Sequence, residues 1–311
     1  MTLWRLFIAG IGLLTLILSC SSTHVQPPKF DGQRAFTYLE NQVEFGPRVP
    51  GSEASAKCRD YFYDFFAGVG LPVDSQAFPY LDPYSGRNIT MVNVIASYRP
   101  ESYYGKGIVI MAHYDSRPRT DFASVPELAE NPIDGANDGA SGVAVLMELA
   151  NMITAKPPER PVDLVLVDGE DWGKSGDHAN YMIGSREFAR RGVRSKYLFG
   201  IIVDLIGDSD QQIYREAYSE RYAKELNDMV WGTAARLGVN TFEDSVKYVV
   251  VDDHLSLNIS GVPAVNIIDM DYGYWHTEFD TPDKCSAESL TNVGKVVADI
   301  IYNPYLWPIS E

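Results

Sequence analysis

From residue 30 onward the chain alternates between two hydrophobic periods. Residues 30–44 and 54–68 space their apolar side chains as helices do, the second stretch being rich in aromatics, and a proline-bounded turn at 47–52 separates them. Residues 88–98 set Ile, Met, Val, Val and Ala among polar positions, a strand pattern. Residues 107–112 are wholly apolar after the opening glycine, as a central strand covered on both faces requires. Further strands are predicted over 162–167, 198–203, 247–251 and 262–268, and helices over 141–152, 184–191, 219–237 and 286–302. Strands alternating with helices predict an α/β sandwich with a largely parallel central sheet, built as a single domain over residues 30–311.

The amino terminus follows a different pattern. Arg5 precedes an apolar run over residues 6–18, about 13 residues long and so short of the roughly 20 that a permanent membrane helix needs. Ile17-Leu18-Ser19-Cys20 resembles a bacterial lipobox. This divides the chain into a signal peptide (1–19), a lipidated tether (20–29) that begins at Cys20, and the single domain over residues 30–311. It predicts an exported lipoprotein, anchored to a bacterial membrane and facing the periplasm or the outside. A plain signal peptide cut elsewhere is the alternative.

Composition narrows the function. The 311 residues are 45% hydrophobic, enough for a full core, and carry a net charge of -16. An acidic surface repels phosphate backbones, which excludes nucleic acid as a partner. Three cysteines are too few and too scattered for a disulfide scaffold or a thiolate zinc site. With Cys20 assigned to the lipobox, Cys58 and Cys285 read as two separate buried thiols, with a disulfide between them as the alternative.

Ligands of open α/β sheets bind beyond the carboxyl ends of the strands. His113, Glu170, Asp171, Asp204, Asp252 and His276 all fall at or just after predicted strand ends. Singly, each has an ordinary explanation as a helix cap, a turn residue or a packed histidine. Six together, in a chain with five histidines, point to a metal site. A seventh residue, Asp138, sits in the glycine-rich turn Gly135-Ala-Asn-Asp138-Gly-Ala-Ser-Gly142, which feeds directly into an apolar helix. Imidazole and carboxylate donors without thiolate suit a catalytic zinc with an open position. In the adjacent pair Glu170-Asp171, metal neutralises one carboxylate and leaves the other free for proton transfer.

The set His113-Tyr-Asp115, Gly135-Ala-Asn-Asp138-Gly-Ala-Ser-Gly142, Asp168-Gly-Glu170-Asp171, Asp204-Leu-Ile-Gly and Trp275-His276-Thr resembles the zinc aminopeptidase superfamily, which includes the glutaminyl cyclases. The resemblance implies a three-layer α/β/α sandwich around a mixed, mainly parallel sheet. It implies Asp138, Asp171 and His276 as zinc ligands and Glu170 as the general acid/base. Asp171 stands where many members carry glutamate. His113 and Asp204 match the extra ligands that give the aminopeptidases a second metal, with Asp138 bridging.

Two reactions remain open on this resemblance, both with the amino termini of peptides or proteins as substrate. A glutaminyl cyclase, with one zinc, closes an N-terminal glutamine to pyroglutamate; an aminopeptidase, with two, hydrolyses the first peptide bond. Asp252-Asp253-His254 resembles the cyclases, the aminopeptidases showing serine at the first position. Asp252 is then expected to pair with Asp204 through a shared proton, diverting it from a second metal. Trp275 is expected to wall the substrate pocket, and Trp172 to add a second wall. Leu255-Ser-Leu departs from the cyclase pattern, and His113 leaves room for two metals. A catalytically dead binding protein on the same fold is a third possibility, against which the intact ligand set and Glu170 speak.

Overall fold

The computed structural model describes residues 24–309; the predicted signal peptide and Cys20 lie outside the described residues. Helices α1 (Gly32–Val43) and α2 (Glu53–Gly68) open the domain. Each begins on a side-chain cap, Asp31 accepting from the Arg34 N–H and Ser52 from the Ser55 N–H. Strands β1 (Val73–Leu81), β2 (Asn88–Tyr98) and β3 (Gly107–His113) follow, then α3 (Gly142–Ala155), β4 (Val162–Val167), α4 (Ile183–Ala189) and β5 (Tyr197–Asp204). The chain continues through β6 (Ile213–Glu216), α5 (Ala217–Tyr222), α6 (Lys224–Arg236), β7 (Phe242–Tyr248), α7 (His254–Ile259), β8 (Ala264–Ile268) and α8 (Ala287–Tyr302).

Six strands form one sheet in the order β1-β2-β4-β3-β5-β8. β4, β3, β5 and β8 run parallel, while β1 and β2 add an antiparallel hairpin at one edge. The sheet is therefore mixed and mainly parallel, as expected. β3, β4, β5 and β8 are buried along their whole length, which is why their sequences are continuous apolar runs. α3 is buried on nearly every face against the sheet, α1 and α8. Cys58 and Cys285 are buried free thiols.

Beyond β6 and α7, two short elements that the sequence pattern does not predict, three elements differ from the sequence expectation. β1 was not predicted: Asp74, Ser75, Gln76 and Pro79 dilute its pattern, as an exposed edge strand allows. The helix expected over 219–237 is two helices, α5 and α6, divided at Ala223 (φ -143°) without a glycine or proline. The strand expected over 247–251 lies earlier, at β7. It is largely exposed and pairs with β6 in a separate two-stranded sheet. Asp252 therefore reaches the centre of the molecule from a connecting segment and not from the end of a central strand.

Residues 24–29, expected as part of a tether, run against the last turn of α8. His24 Nε2 lies 2.8 Å from Asp299 Oδ1, the Val25 N–H donates to Asn303 Oδ1 (2.7 Å), and Lys156 Nζ donates to the Gln26 carbonyl (2.7 Å). Among the described residues no helix is long and apolar enough to cross a membrane.

Candidate metal centre

The Asp138 turn is the geometric centre of the site. Residues 136–141 form a wide helical turn in which Asp138 (φ -82°, ψ 89°) and Gly139 (φ +103°) leave helical conformation. A Cβ on Gly139 would lie 2.6 Å from the Asp115 carbonyl oxygen, and one on Gly142 only 2.3 Å from that of Val203. Glycine is thus required for the turn to sit on β3 and for α3 to start against β5. Asp280 holds the turn from the other side, accepting from the Asn137 N–H (2.8 Å) and the Asp138 N–H (3.1 Å).

Arg48, from the turn predicted at 47–52, is fully buried and pins the same region. Its guanidinium donates to the carbonyls of Tyr114 (3.0 Å), Asp134 (2.6 Å) and Gly135 (2.6 Å). Arg48→Ala leaves the Tyr114 and Asp134 carbonyls without this donor, the Gly135 carbonyl keeping the Ala140 N–H (3.2 Å), and is expected to cost about 2 kcal/mol or more in chemical denaturation. A loss below about 1 kcal/mol would mean that water replaces the guanidinium.

Two ligand triads meet at Asp138, and every member is buried: His113, Asp138 and Asp204 form one, Asp138, Asp171 and His276 the other. Asp138 turns one oxygen to each. Its Oδ1 lies 3.2 Å from His113 Nε2, and its Oδ2 lies 3.6 Å from His276 Nε2. Asp204 Oδ1 is 3.1 Å from His113 Nε2, and Asp171 Oδ1 is 3.4 Å from His276 Nε2. Within each triad the candidate donor atoms lie within 4.8 Å of one another. Asp138 Oδ2 and Asp171 Oδ2 are buried without a hydrogen-bond partner. Three buried carboxylates and two orphaned oxygens around a shared space fit a dication.

The charge pattern agrees. Burial and the neighbouring Asp171 push the Asp138 carboxyl up, and burial also pushes Asp204 up. Against the upward push of burial, His276 and Arg117 hold Asp171 down at about 2. Burial disfavours charge on His276, yet Asp171 and Asp121 raise it to about 9. Without metal the imidazoles supply the positive charge; with metal they must give up that proton, so metal binding releases protons.

A layer behind the ligands aims them. Arg117, fully buried, donates to Asp171 Oδ1 (2.5 Å) and to Asp121 Oδ2 (2.5 Å), and Asp121 Oδ2 in turn accepts from His276 Nδ1 (3.2 Å). Asp115 accepts the N–H groups of both Glu170 (3.1 Å) and Asp171 (3.2 Å). Carboxylate partners of this kind fix the tautomer and direction of a ligating histidine. The three described non-glycine residues with left-handed backbone all adjoin the site. They are Met182 (φ 55°), whose N–H donates to the Glu170 carbonyl, Leu205 (φ 51°), which follows Asp204, and His276 itself (φ 57°).

The triads open into a cavity of about 320 Å³ whose lining includes Glu170, Asp204, Leu205, Asp252, Ile268 and Trp275. Glu170 faces this space with no side-chain hydrogen bond among the described residues; burial, then Asp171 and Asp252, raise its carboxyl well above the usual range. Trp275 packs on Phe122 at 5.8 Å between ring centroids, and Phe122 stacks on His276 at 6.4 Å.

Two expectations are corrected. Asp252 does not hydrogen-bond Asp204: its oxygens accept from the Asp253 N–H (2.5 Å) and the Asn266 amide (2.5 Å), while Asp204 turns to His113. The two carboxyls interact through space, and Asp204 keeps its place in a triad. Trp172 does not wall the cavity. Its indole N–H donates to Asp82 Oδ1 (3.0 Å) and its ring packs with Phe78 and Met91, so it buttresses the loop from behind. Sequence reasoning found His113, Asp138, Glu170, Asp171, Asp204, Asp252, Trp275 and His276, all of which line the cavity or belong to a triad. It missed Arg117, Asp121, Phe122 and Asp280. Arg117 and Asp121 lie in a loop, where their spacing carries no helical periodicity and gave no signal.

An α/β/α fold with two buried His–carboxylate triads sharing one aspartate, at the carboxyl ends of parallel strands, fits the zinc aminopeptidase superfamily. The chain belongs to peptidase family M28, whose model matches residues 93–301, and is a zinc-dependent enzyme of that superfamily. Over 90% of its length it is similar to a leucine aminopeptidase precursor from Bacteroides thetaiotaomicron (34% identity, TM-score 0.86, 99% of that chain). Over 89% it is similar to the glutaminyl cyclase of the same organism, solved with N-acetylhistamine (33% identity, TM-score 0.85, 99% of that chain). Among curated proteins it is 31% identical over 162 residues to the alkaline phosphatase isozyme conversion protein of Escherichia coli, a match over 49% of this chain and 46% of that protein. The chain spans less than half the length of the first curated relatives that it matches.

Proposed function

We propose that this chain is a glutaminyl-peptide cyclotransferase, converting N-terminal glutamine to pyroglutamate with release of ammonia. The observation that carries this reading is the cavity wall beyond the ligands. Asp252, a carboxyl fixed by Asn266 and the Asp253 N–H, stands with Glu170 and Asp204 around a small cavity that Trp275 also lines. Such a wall offers acceptors to a free α-amine and an apolar surface to the glutamine methylenes. Likeness at 33% and 34% identity to the glutaminyl cyclases of B. thetaiotaomicron and Tannerella forsythia supports it.

Asp138, Asp171 and His276 would hold the zinc, which when bound supplies a Lewis acid for the γ-carbonyl oxygen. Trp275 and Ile268 flank the side chain and fold it toward its own amine. Ring closure within one residue avoids the entropy cost of bringing two molecules together. The amine nitrogen bonds to the γ-carbon; Glu170 accepts the proton that the amine loses and delivers it to the amide nitrogen. The bond from the γ-carbon to that nitrogen then breaks, and ammonia leaves.

The second reading is an aminopeptidase, favoured by the His113–Asp138–Asp204 triad and by likeness to the leucine aminopeptidase precursor. Glu170 would then activate water at a two-zinc site. Purified protein assayed on a glutamine-initiated peptide and on leucine amide, with zinc counted per chain, separates the two. Pyroglutamate formation with one zinc upholds the cyclase; leucine release with two zincs overturns it. Asp252→Ser is expected to lower cyclisation by about a hundredfold while lowering any residual hydrolysis far less. Equal losses in both reactions would deny Asp252 a part in amine recognition.

A further inference from the structure

The edge of the sheet opposite the metal centre carries a chemically different surface. β3 and β5 begin there, at Gly107 and Tyr197, beside an open groove of about 870 Å³ lined by Arg99, Lys106, Arg194 and Lys196, with Asp74 and Asp163 the acidic members. Asp163 is already paired, with Arg99 at 2.7 Å and with the Tyr197 hydroxyl. Lys106, Arg194 and Lys196 form no ion pair among the described residues. In a chain of net charge -16, this is a local excess of cations.

Exposed apolar and aromatic side chains line this groove or lie within a few residues of its lining. Tyr104 is 96% exposed, Ile259 80% and Tyr305 43%. Tyr104 adjoins the groove residues Gly105 and Lys106, and itself lines the groove. Ile259 ends α7 two residues before Gly261, which lies beside the Arg194 side chain. Tyr305 precedes Ile309, another lining residue. Lysine and arginine interleaved with aromatic and aliphatic tips is the composition of surfaces that rest on anionic lipid.

The first described residues also lie at this end. His24 and Val25 bind Asp299 and Asn303 at the end of α8, and the neighbouring Tyr302 hydroxyl donates to the Met152 and Lys156 carbonyls at the far end of α3. The near end of α3 is the Asp138 turn. Its 14 residues put about 20 Å between that turn and the end at which His24 lies. Cys20 lies four positions before His24, a reach of at most roughly 14 Å.

We propose that this edge docks on an anionic bilayer and holds the catalytic cavity on the far side, open to peptides in the surrounding medium. The short reach rests on Cys20 as the anchor; the charge and the aromatic rim do not.

The test uses the full chain with an environment-sensitive fluorophore on Tyr104→Cys or, at the cavity rim, on Ser175→Cys; Cys58 and Cys285 are buried, and where Cys20 is unacylated it is replaced by serine so that it takes no label. Each is mixed with phosphatidylcholine vesicles, with or without phosphatidylglycerol, that carry a bilayer-embedded quencher. With phosphatidylglycerol, position 104 is expected to be quenched severalfold more than position 175. Lys106→Glu, Arg194→Glu and Lys196→Glu together are expected to erase that difference and to leave turnover of a soluble peptide unchanged. Equal quenching, stronger quenching at 175, or indifference to the triple change overturns the proposal. The mass of the amino-terminal peptide reports acylation separately. An unacylated chain that keeps the difference upholds the face and removes the anchor; an acylated chain without it does the reverse.

Discussion

Glu170→Gln is expected to reduce turnover by about 10²- to 10⁴-fold, the range that a positioned proton carrier supplies, with zinc content unchanged by elemental analysis. The reason lies in what Glu170 touches. It belongs to neither triad, its side chain has no hydrogen-bond partner among the described residues, and it faces the cavity. The amide keeps its shape and removes its ability to hold a proton. It also removes a carboxyl crowded by Asp171 and Asp252, so thermal stability is expected to match or exceed that of the parent. Loss of zinc would show Glu170 to be a ligand, and undiminished turnover would show that another group carries the proton.

His276→Ala is expected to behave differently, losing zinc and activity together. His276 supplies the neutral donor of its triad, and its withdrawal leaves Asp138 and Asp171 facing each other without an imidazole between them. Affinity for zinc should fall by more than the roughly 10- to 100-fold typical of disturbing an outer partner such as Asp121. The apparent dissociation constant, from competition with a chromogenic chelator, checks this. A variant that binds zinc as tightly as the parent would remove His276 from the ligand set.

The contrast between these residues explains what the sequence could reveal. Residues that do chemistry at the ends of apolar runs were legible because strand ends in a parallel sheet share one edge, so His113, Asp204 and Asp171 announced a common location before any coordinates. Arg117, Asp121 and Asp280 were not, because their roles exist only as contacts across distance. Asp280 meets the Asp138 N–H from 142 positions away, and Arg117 reaches Asp171 from 54. Asp252 was placed in the right cavity on the wrong reasoning: the strand expected before it belongs to a small separate sheet, and its partner is Asn266 and not Asp204. Trp172 follows Asp171 directly in sequence, yet the loop turns its indole away from the cavity, to Asp82 within a separate buried cluster. Adjacency along the chain fixes where a backbone passes, but local dihedrals decide which way a side chain leaves it.

Those dihedrals bear on how this protein can be improved. Met182, Leu205 and His276 hold left-handed backbone that side chains resist, at roughly 1–2 kcal/mol each. The least relaxed part of the backbone is therefore the part that aims the site. Substitutions that raise heat tolerance should be sought on the outer helices and the β1 edge, where relaxation carries no catalytic penalty. Around Asp138, a more comfortable backbone would be a less accurate one.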